Sequence, residues 1–113
     1  MADGMNSNIL AHGFGRLSQW QGRSGRFYAM ASQNLEQFAM EQADLFLLAK
    51  GSHVLWVGSS DDLVADPMSR SRFRLALACA DRVFRVLSTD VVERMTMIWD
   101  LEGAEPLHGA QAA

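Results

Sequence analysis

Residues 43–63 read ADLFLLAKGSHVLWVGSSDDL, two apolar runs separated by the short polar stretch KGSH at 50–53. The runs, 43–49 and 54–58, are almost entirely apolar, which is typical of strands covered on both faces of a sheet. Glycine followed by a small polar residue suits the turn between them. The stretch therefore predicts a β-hairpin formed by two central strands.

An earlier pair of segments predicts a second hairpin. Residues 17–20 (LSQW) and 26–30 (RFYAM) bracket the Gly-rich stretch 22–25, and strand, turn and strand is the simplest interpretation. Residues 34–42 stay ambiguous, because Leu35, Phe38 and Ala39 have helical spacing but the segment is short enough for a turn or an edge strand.

The second half of the chain alternates helix and strand. Ser60 or Asp61 suits the start of a short helical turn, and Pro67 suits the first position of a helix running to about residue 80. Residues 82–87 alternate polar and apolar, which predicts a third strand. Asp90 and Glu93 have capping-box spacing for a last helix. The buried faces predicted for the two helices are Phe73, Ala76, Leu77 and Ala80, and then Val91, Val92, Met95, Ile98 and Trp99.

These elements define one α+β domain. We expect a central antiparallel sheet of about three strands flanked by helices, with the N-terminal β-hairpin as an addition. Residues 1–9 are predicted to be a disordered N-terminus, residues 10–106 the domain, and residues 107–113 a flexible tail. A chain of 113 residues is long enough for a single core.

The composition and net charge of the chain argue against several classes of protein. Apolar residues make up 49% and charged residues 20% of the chain, as in ordinary globular proteins. No apolar run is long enough for a bilayer and no signal-peptide pattern is present, so a cytoplasmic protein without membrane contact is expected. The net charge of −3 argues against indiscriminate nucleic-acid binding. The single cysteine, Cys79, lies in an apolar run and is predicted to be a small buried residue.

The layout of residues 43–106 resembles a GIY-YIG nuclease domain. Asp44-Leu45-Phe46 stands where the family has its first motif, and Trp56-Val57-Gly58 stands about ten residues later, where the family has Tyr-Ile-Gly. The order hairpin, helix, strand, helix is also the family's order. The resemblance implies two tyrosine hydroxyls near the attacking water, an arginine on the phosphate and a glutamate that binds a divalent metal.

None of those groups is present at the matching positions. Phe46 and Trp56 replace the tyrosines, residues 64–67 offer no arginine, and Met97 or Ile98 stands where the glutamate is expected. His12, His53 and His108 are far apart in sequence and lack cysteine partners, so no metal site is predicted either. We therefore expect a non-catalytic interaction or regulatory module without a cofactor.

Three hypotheses remain at this point. The first is a protein partner or self-association, with Arg70, Arg72 and Arg74 as binding residues, since guanidinium groups recognise carboxylates and phosphates. The second is a nucleic-acid-binding protein that uses the same arginines. The third is an endonuclease with a shifted active site at Tyr28, Arg70 and Glu93. The acidic end around Asp100, Glu102 and Glu105 is the next candidate surface.

Overall fold

The computed structural model of the protein describes residues 17–38, 40, 44–87 and 92–107. The predicted N-terminal segment 1–9, the predicted cap at Asp90 and the face residue Val91 lie outside these ranges. Leu107 is the only residue of the predicted tail inside them.

The described chain contains six strands, three α-helices and one 3₁₀ turn. They follow the order β1 (Leu17–Gln21), β2 (Phe27–Gln33), the 3₁₀ turn Leu35–Gln37, β3 (Phe46–Lys50), β4 (His53–Gly58), α1 (Ser60–Ala65), α2 (Pro67–Cys79), β5 (Arg82–Val86), α3 (Arg94–Glu102) and β6 (Glu105–Pro106). The predicted hairpins, the helix at Pro67 and the third strand are confirmed. The ambiguous segment 34–42 begins with the 3₁₀ turn, capped by the Asn34 side chain.

All six strands form one antiparallel sheet in the order β4-β3-β5-β2-β1-β6. The α+β class is therefore confirmed, but the expectation of about three strands with a separate hairpin is wrong. The hairpin joins the sheet because β2 pairs with β5 in a register that places Met30 opposite Val86. The prediction that β4 is central is also wrong, since β4 is an edge strand.

Hydrophobic clusters lie on both faces of the sheet. On one face α3 contributes Met97 and Leu101 to a cluster with residues of five strands, among them Trp20 and Phe84. On the other face α2 contributes Ala76 and Phe73 to a cluster around β3, β4 and β5. Successive side chains of a strand point to opposite faces, which is why the uninterrupted apolar run of β3 supplies both clusters.

Three burial predictions are wrong. Cys79 is exposed at the C-terminal end of α2, whose buried residue is Ala76. In α3 the buried residues are Met97, Asp100 and Leu101, whereas Val92, Met95 and Trp99, placed on the apolar face from sequence, are exposed. The predicted buried residue Leu77 of α2 is likewise partly exposed. Each helix contains more apolar residues than its one buried face accommodates, so periodicity alone allows more than one face.

Within the described part of the chain, every helix is too short, or not apolar enough, to cross a membrane.

Candidate functional site

The two edge strands of the sheet, β4 and β6, differ in how they are protected against the addition of another strand. The β6 edge has only two residues, one charged and the other Pro106. Short strands and proline protect an edge against added strands because they leave few free backbone donors, and a charged side chain protects it because the charge is costly to bury. The β4 edge has six residues, HVLWVG, with neither proline nor a carboxylate or guanidinium among them. β4 therefore has none of these three protections and carries only a β-bulge, which also disturbs pairing with an added strand.

Backbone pairing directs polar groups of β4 outward. The Val86 N–H donates to the Leu45 carbonyl at 2.9 Å, so Leu45 directs its backbone groups toward β5. Antiparallel strands alternate the direction of these groups, and Phe46, the next residue, therefore bonds to its partner Gly58 on β4. By the same alternation, the N–H and C=O of Val57 point away from β3, toward the side of β4 on which the described residues place no further strand. Val57 as a whole is only 5% exposed, so these groups lie at the base of the cleft.

A β-bulge changes the direction of one side chain at this edge. Leu48 is opposite Trp56, but the next residue, Ala49, is opposite Val54, so Leu55 is the extra residue. Bulges re-aim side chains and often occur beside functional sites. Leu55 is accordingly 37% exposed and lines two clefts.

A cleft of about 340 Å³ follows the open edge, between α2 on one face of the sheet and α3 on the other. Two further clefts adjoin it, one of about 290 Å³ beside Leu75 and Cys79 of α2 and one of about 250 Å³ between the β3–β4 turn and the end of α3. The main cleft is lined by residues 54–57 of β4, by Asp62, Asp66, Ser69 and Arg72, and by Met95, Ile98 and Glu102.

The wall formed by α1 and α2 is built from local hydrogen bonds. Asp66 caps α2 by accepting from the Met68 N–H at 3.0 Å, a favourable role for an aspartate before a proline-initiated helix. The Trp56 indole donates to the Ser69 hydroxyl at 3.3 Å, and its ring packs edge-to-face on Phe73. The indole therefore connects β4 directly to the helix that forms this wall.

The N-terminal end of α3 is attached to α1. The Asp62 carboxylate accepts from the N–H and the hydroxyl of Ser59 at 2.8 and 3.0 Å. Arg94, the first residue of α3, donates to the Ser59 hydroxyl and lies 3.6 Å from the Asp62 carboxylate. Ser59 is fully buried, so its hydroxyl is a structural link and is not accessible as a nucleophile.

The C-terminal end of α3 is attached to the β1–β2 turn by a buried carboxylate. Asp100 accepts from the Ser24 N–H at 2.7 Å, the Ser24 hydroxyl at 2.8 Å and the Tyr28 hydroxyl at 2.8 Å. Gly22 allows this approach, because a Cβ there would lie 2.5 Å from the Asp100 carboxylate. Arg23 covers the Trp99 ring and donates to the Trp99 carbonyl.

These contacts shift two titrations in opposite directions. Burial alone would raise the pKa of Asp100, but the hydrogen bonds from Ser24 and Tyr28 outweigh it and the pKa is lowered. Burial, together with the bond to Asp100 and its charge, raises the pKa of Tyr28 to about 12. The pair is therefore a carboxylate and a neutral phenol at neutral pH, an arrangement suited to structural anchoring.

The positions that stand where the nuclease family has its motifs lie in the core. Phe46 and Trp56 are buried on the α2 face, and Phe46 packs edge-to-face on Phe38. Gly58 lies beneath the Trp56 ring, since a Cβ at Gly58 would come within 2.6 Å of it. The large aromatic groups at 46 and 56 thus have packing roles.

The three arginines predicted to bind have different surroundings. Arg70 donates to the Leu63 carbonyl at 2.8 Å and the Val64 carbonyl at 3.3 Å, which closes the C-terminal end of α1. Arg72 is exposed and lines two of the clefts. Arg74 is exposed and lines none of the three. Only Arg72 lies at the open edge, and whether the three bind a partner stays a prediction.

The residues of the shifted-site hypothesis are engaged separately. The Tyr28 hydroxyl is bound to Asp100, Arg70 to carbonyls of α1, and Glu93 precedes α3 without capping it through its side chain. Across the described ranges, no three acidic, histidine or cysteine side chains are grouped to hold a metal ion. A phenol with a raised pKa is protonated at neutral pH and does not serve there as a general base.

The cleft is not predicted by the sequence. Leu55, Leu75 and Met95 lie in apolar stretches that suit the interior of a domain, and the edge position of β4 depends on strand order. One signal was available: the run HVLWVG has no edge-protecting residue, which matters only once the strand is known to lie at an edge.

Comparison of the chain with protein-family models, curated proteins and solved structures gave no match.

Proposed function

We propose that the domain is a non-catalytic interaction module, on a scaffold resembling that of GIY-YIG nucleases, that holds an extended segment of a protein partner along β4. The observation that carries the proposal is the open edge strand at the base of a cleft between two helices. Such a segment would exchange backbone hydrogen bonds with Val57, as peptides do when they add a strand to a sheet edge.

The cleft also offers apolar contacts to the side chains of such a segment. Leu75 and Met95 are 70% and 74% exposed, on opposite walls of the edge, and the bulge adds Leu55 between them. Exposed apolar side chains gathered around a groove are characteristic of binding surfaces. Backbone bonds supply affinity in this mode, and pockets for alternate side chains supply selectivity.

The absence of the family's catalytic groups supports the non-catalytic part of the proposal. Phe46 and Trp56 have no hydroxyl, and Met97, at a position where the resemblance expects a metal ligand, is buried in the core. Phosphodiester cleavage requires a positioned nucleophile and positive charge on the developing phosphorane. Val64, Asp66 and their neighbours supply neither.

The test is selection of random heptapeptides displayed on phage against the immobilised protein, followed by NMR titration with synthetic copies of the selected sequences. The proposal expects shifts of the amide signals of residues 54–57 and of both cleft walls. Leu55→Ser should weaken binding about tenfold, because burial of a leucine at an interface contributes roughly 1.5 kcal/mol. Leu77→Ser is the matched control, since Leu77 is also 37% exposed but lies outside the clefts.

Three results would contradict the proposal. They are peptide shifts that avoid β4, equal losses of affinity in the two serine variants, and salt-sensitive binding of DNA or RNA with no peptide binding at the cleft. Cleavage of nucleic acid with magnesium or manganese that disappears in Arg70→Ala and Glu93→Ala would favour the shifted-site endonuclease. Mass measurements over a range of concentrations show whether the partner segment comes from a second copy of the chain.

A further inference from the structure

The charges around the cleft specify the partner more closely. Four carboxylates, those of Asp62, Asp66, Glu102 and Glu105, line the main cleft or the adjoining cleft at the end of α3. Asp62 is paired with Arg94. Within the described ranges, Asp66, Glu102 and Glu105 form no ion pair. Arg72 is the cationic side chain in the lining, so the groove carries an excess of negative charge.

Both sides of the edge carry apolar and acidic groups, since Asp62 and Asp66 lie on the α1–α2 side, and Met95 and Ile98 accompany Glu102 on the α3 side. The cleft of about 290 Å³ on the α2 side is lined by Leu55, Leu75, Ala76, Cys79 and Arg72. At the end of α3, Glu102 lines both the main cleft and the one that reaches the β3–β4 turn, where Glu105 joins it. Successive side chains of an added strand would point alternately to these two sides.

We infer that the segment held along β4 is basic, with lysine or arginine residues directed to Glu102 and Glu105 at the end of α3 and alternating with apolar residues. This inference rests on the proposed function, since it specifies the chemistry of the same groove. β4 has six residues, about 20 Å of extended chain, so a segment of similar length spans it. Opposite charge accelerates the encounter of the two partners and disfavours acidic competitors.

Three blocked hexapeptides test the inference, each alternating valine with lysine, serine or glutamate. Titrations into the ¹⁵N-labelled protein give dissociation constants and the site of binding together. The expected order is lysine, then serine, then glutamate, with the lysine peptide about tenfold tighter than the serine peptide at low salt, from two or three partly exposed ion pairs. The difference should largely disappear near 1 M salt, where the Debye length is about 3 Å.

The matched variants are Glu102→Gln and Glu36→Gln. Both remove one exposed carboxylate, but Glu36 lies in the 3₁₀ turn, outside the three clefts. Glu102→Gln should weaken the lysine peptide about threefold and leave the serine peptide unchanged, whereas Glu36→Gln should change neither.

The outcomes separate the two proposals. If the serine and lysine peptides bind the cleft equally, the basic partner is refuted and the interaction module stands. If the lysine peptide is preferred but both glutamine variants weaken it equally, the preference comes from net charge and the inference is refuted. If the phage-selected peptides avoid β4 as well, the proposed function is refuted with it.

Discussion

Replacing Asp100 by asparagine removes the buried charge that joins α3 to the β1–β2 turn. Asp100 is 3% exposed and accepts three hydrogen bonds. Bonds to a charged acceptor contribute about 1.5–3 kcal/mol each. Asparagine keeps one carbonyl oxygen, which retains the bond from the Ser24 N–H in weaker, neutral form, but its amide nitrogen faces the two hydroxyls. We expect Asp100→Asn to lower the free energy of unfolding by about 2–4 kcal/mol, measured by urea denaturation at pH 7.

The difference in free energy of unfolding between wild type and Asp100→Asn should become smaller at acidic pH. Because the pKa of Asp100 is lowered from 3.8 in the folded protein, its stabilising contribution is present above the unfolded-state pKa and is lost as the pH falls through the folded-state pKa. Asparagine does not titrate. The gap between wild type and Asp100→Asn should therefore be constant from about pH 5 to 8 and become smaller below about pH 4.

The ionisation of the Tyr28 hydroxyl at alkaline pH tests the same contact. It is the single tyrosine of the chain, so tyrosinate absorbance follows it directly. Its pKa of about 12 means that its contribution to stability is complete below about pH 10 and is lost as the pH rises toward 12. In Asp100→Asn the bond to the carboxylate and its charge are absent, and the pKa should fall toward 10 while burial still keeps it elevated.

The control is Glu102→Gln, the same chemical change two residues along α3 at an exposed position. It should alter the free energy of unfolding by less than about 0.5 kcal/mol. The structural role of Asp100 fails this test if both variants have the same free energy of unfolding. It also fails if wild-type Tyr28 ionises near pH 10 while far-ultraviolet circular dichroism shows the protein still folded.

Other features of the fold give three shorter predictions. Gly58→Ala should lower the free energy of unfolding by about 1–3 kcal/mol, because its Cβ would lie 2.6 Å from the buried Trp56 ring; an unchanged thermal midpoint would contradict this. Arg70→Ala should cost about 1 kcal/mol through lost bonds to α1 carbonyls, and exposed Arg74→Ala should cost under about 0.5 kcal/mol; equal thermal shifts would refute the distinction. Cys79 is exposed, so a thiol reagent should modify it in the native protein as fast as in urea; protection in the native state would place it in the interior.

Elements with a strong local pattern were predictable from sequence. The two hairpins, the helix starting at Pro67 and the alternating strand at 82–87 all depend on neighbours within a few positions, such as turn glycines and a proline at the first helical turn. Strand order depends instead on pairing between distant segments. Nothing local at Met30 or Val86 indicates that they are partners, and this one pairing makes the hairpin part of the sheet.

The same limit explains the errors about individual residues. Val57 and Leu55 lie in an apolar run that suits a central strand or an unprotected edge equally, and only strand order distinguishes the two. Asp100 belongs to an acidic sequence cluster that suggests a solvated surface. Its burial depends on Ser24 and Tyr28, more than 70 positions away in the chain, so no local sequence pattern predicts it.

Helix α3 connects the buried contact of Asp100 with Ser24 and Tyr28 to the candidate cleft. Arg94 at the start of α3 is bonded to Ser59, and Asp100 near its end is bonded to Ser24. The same helix lines the cleft with Met95, Ile98 and Glu102. A wall attached at both ends holds its groove open without a partner, which reduces the ordering cost of binding. It follows that loss of the Asp100 contact, although Asp100 itself does not line the cleft, should weaken peptide binding as well as folding.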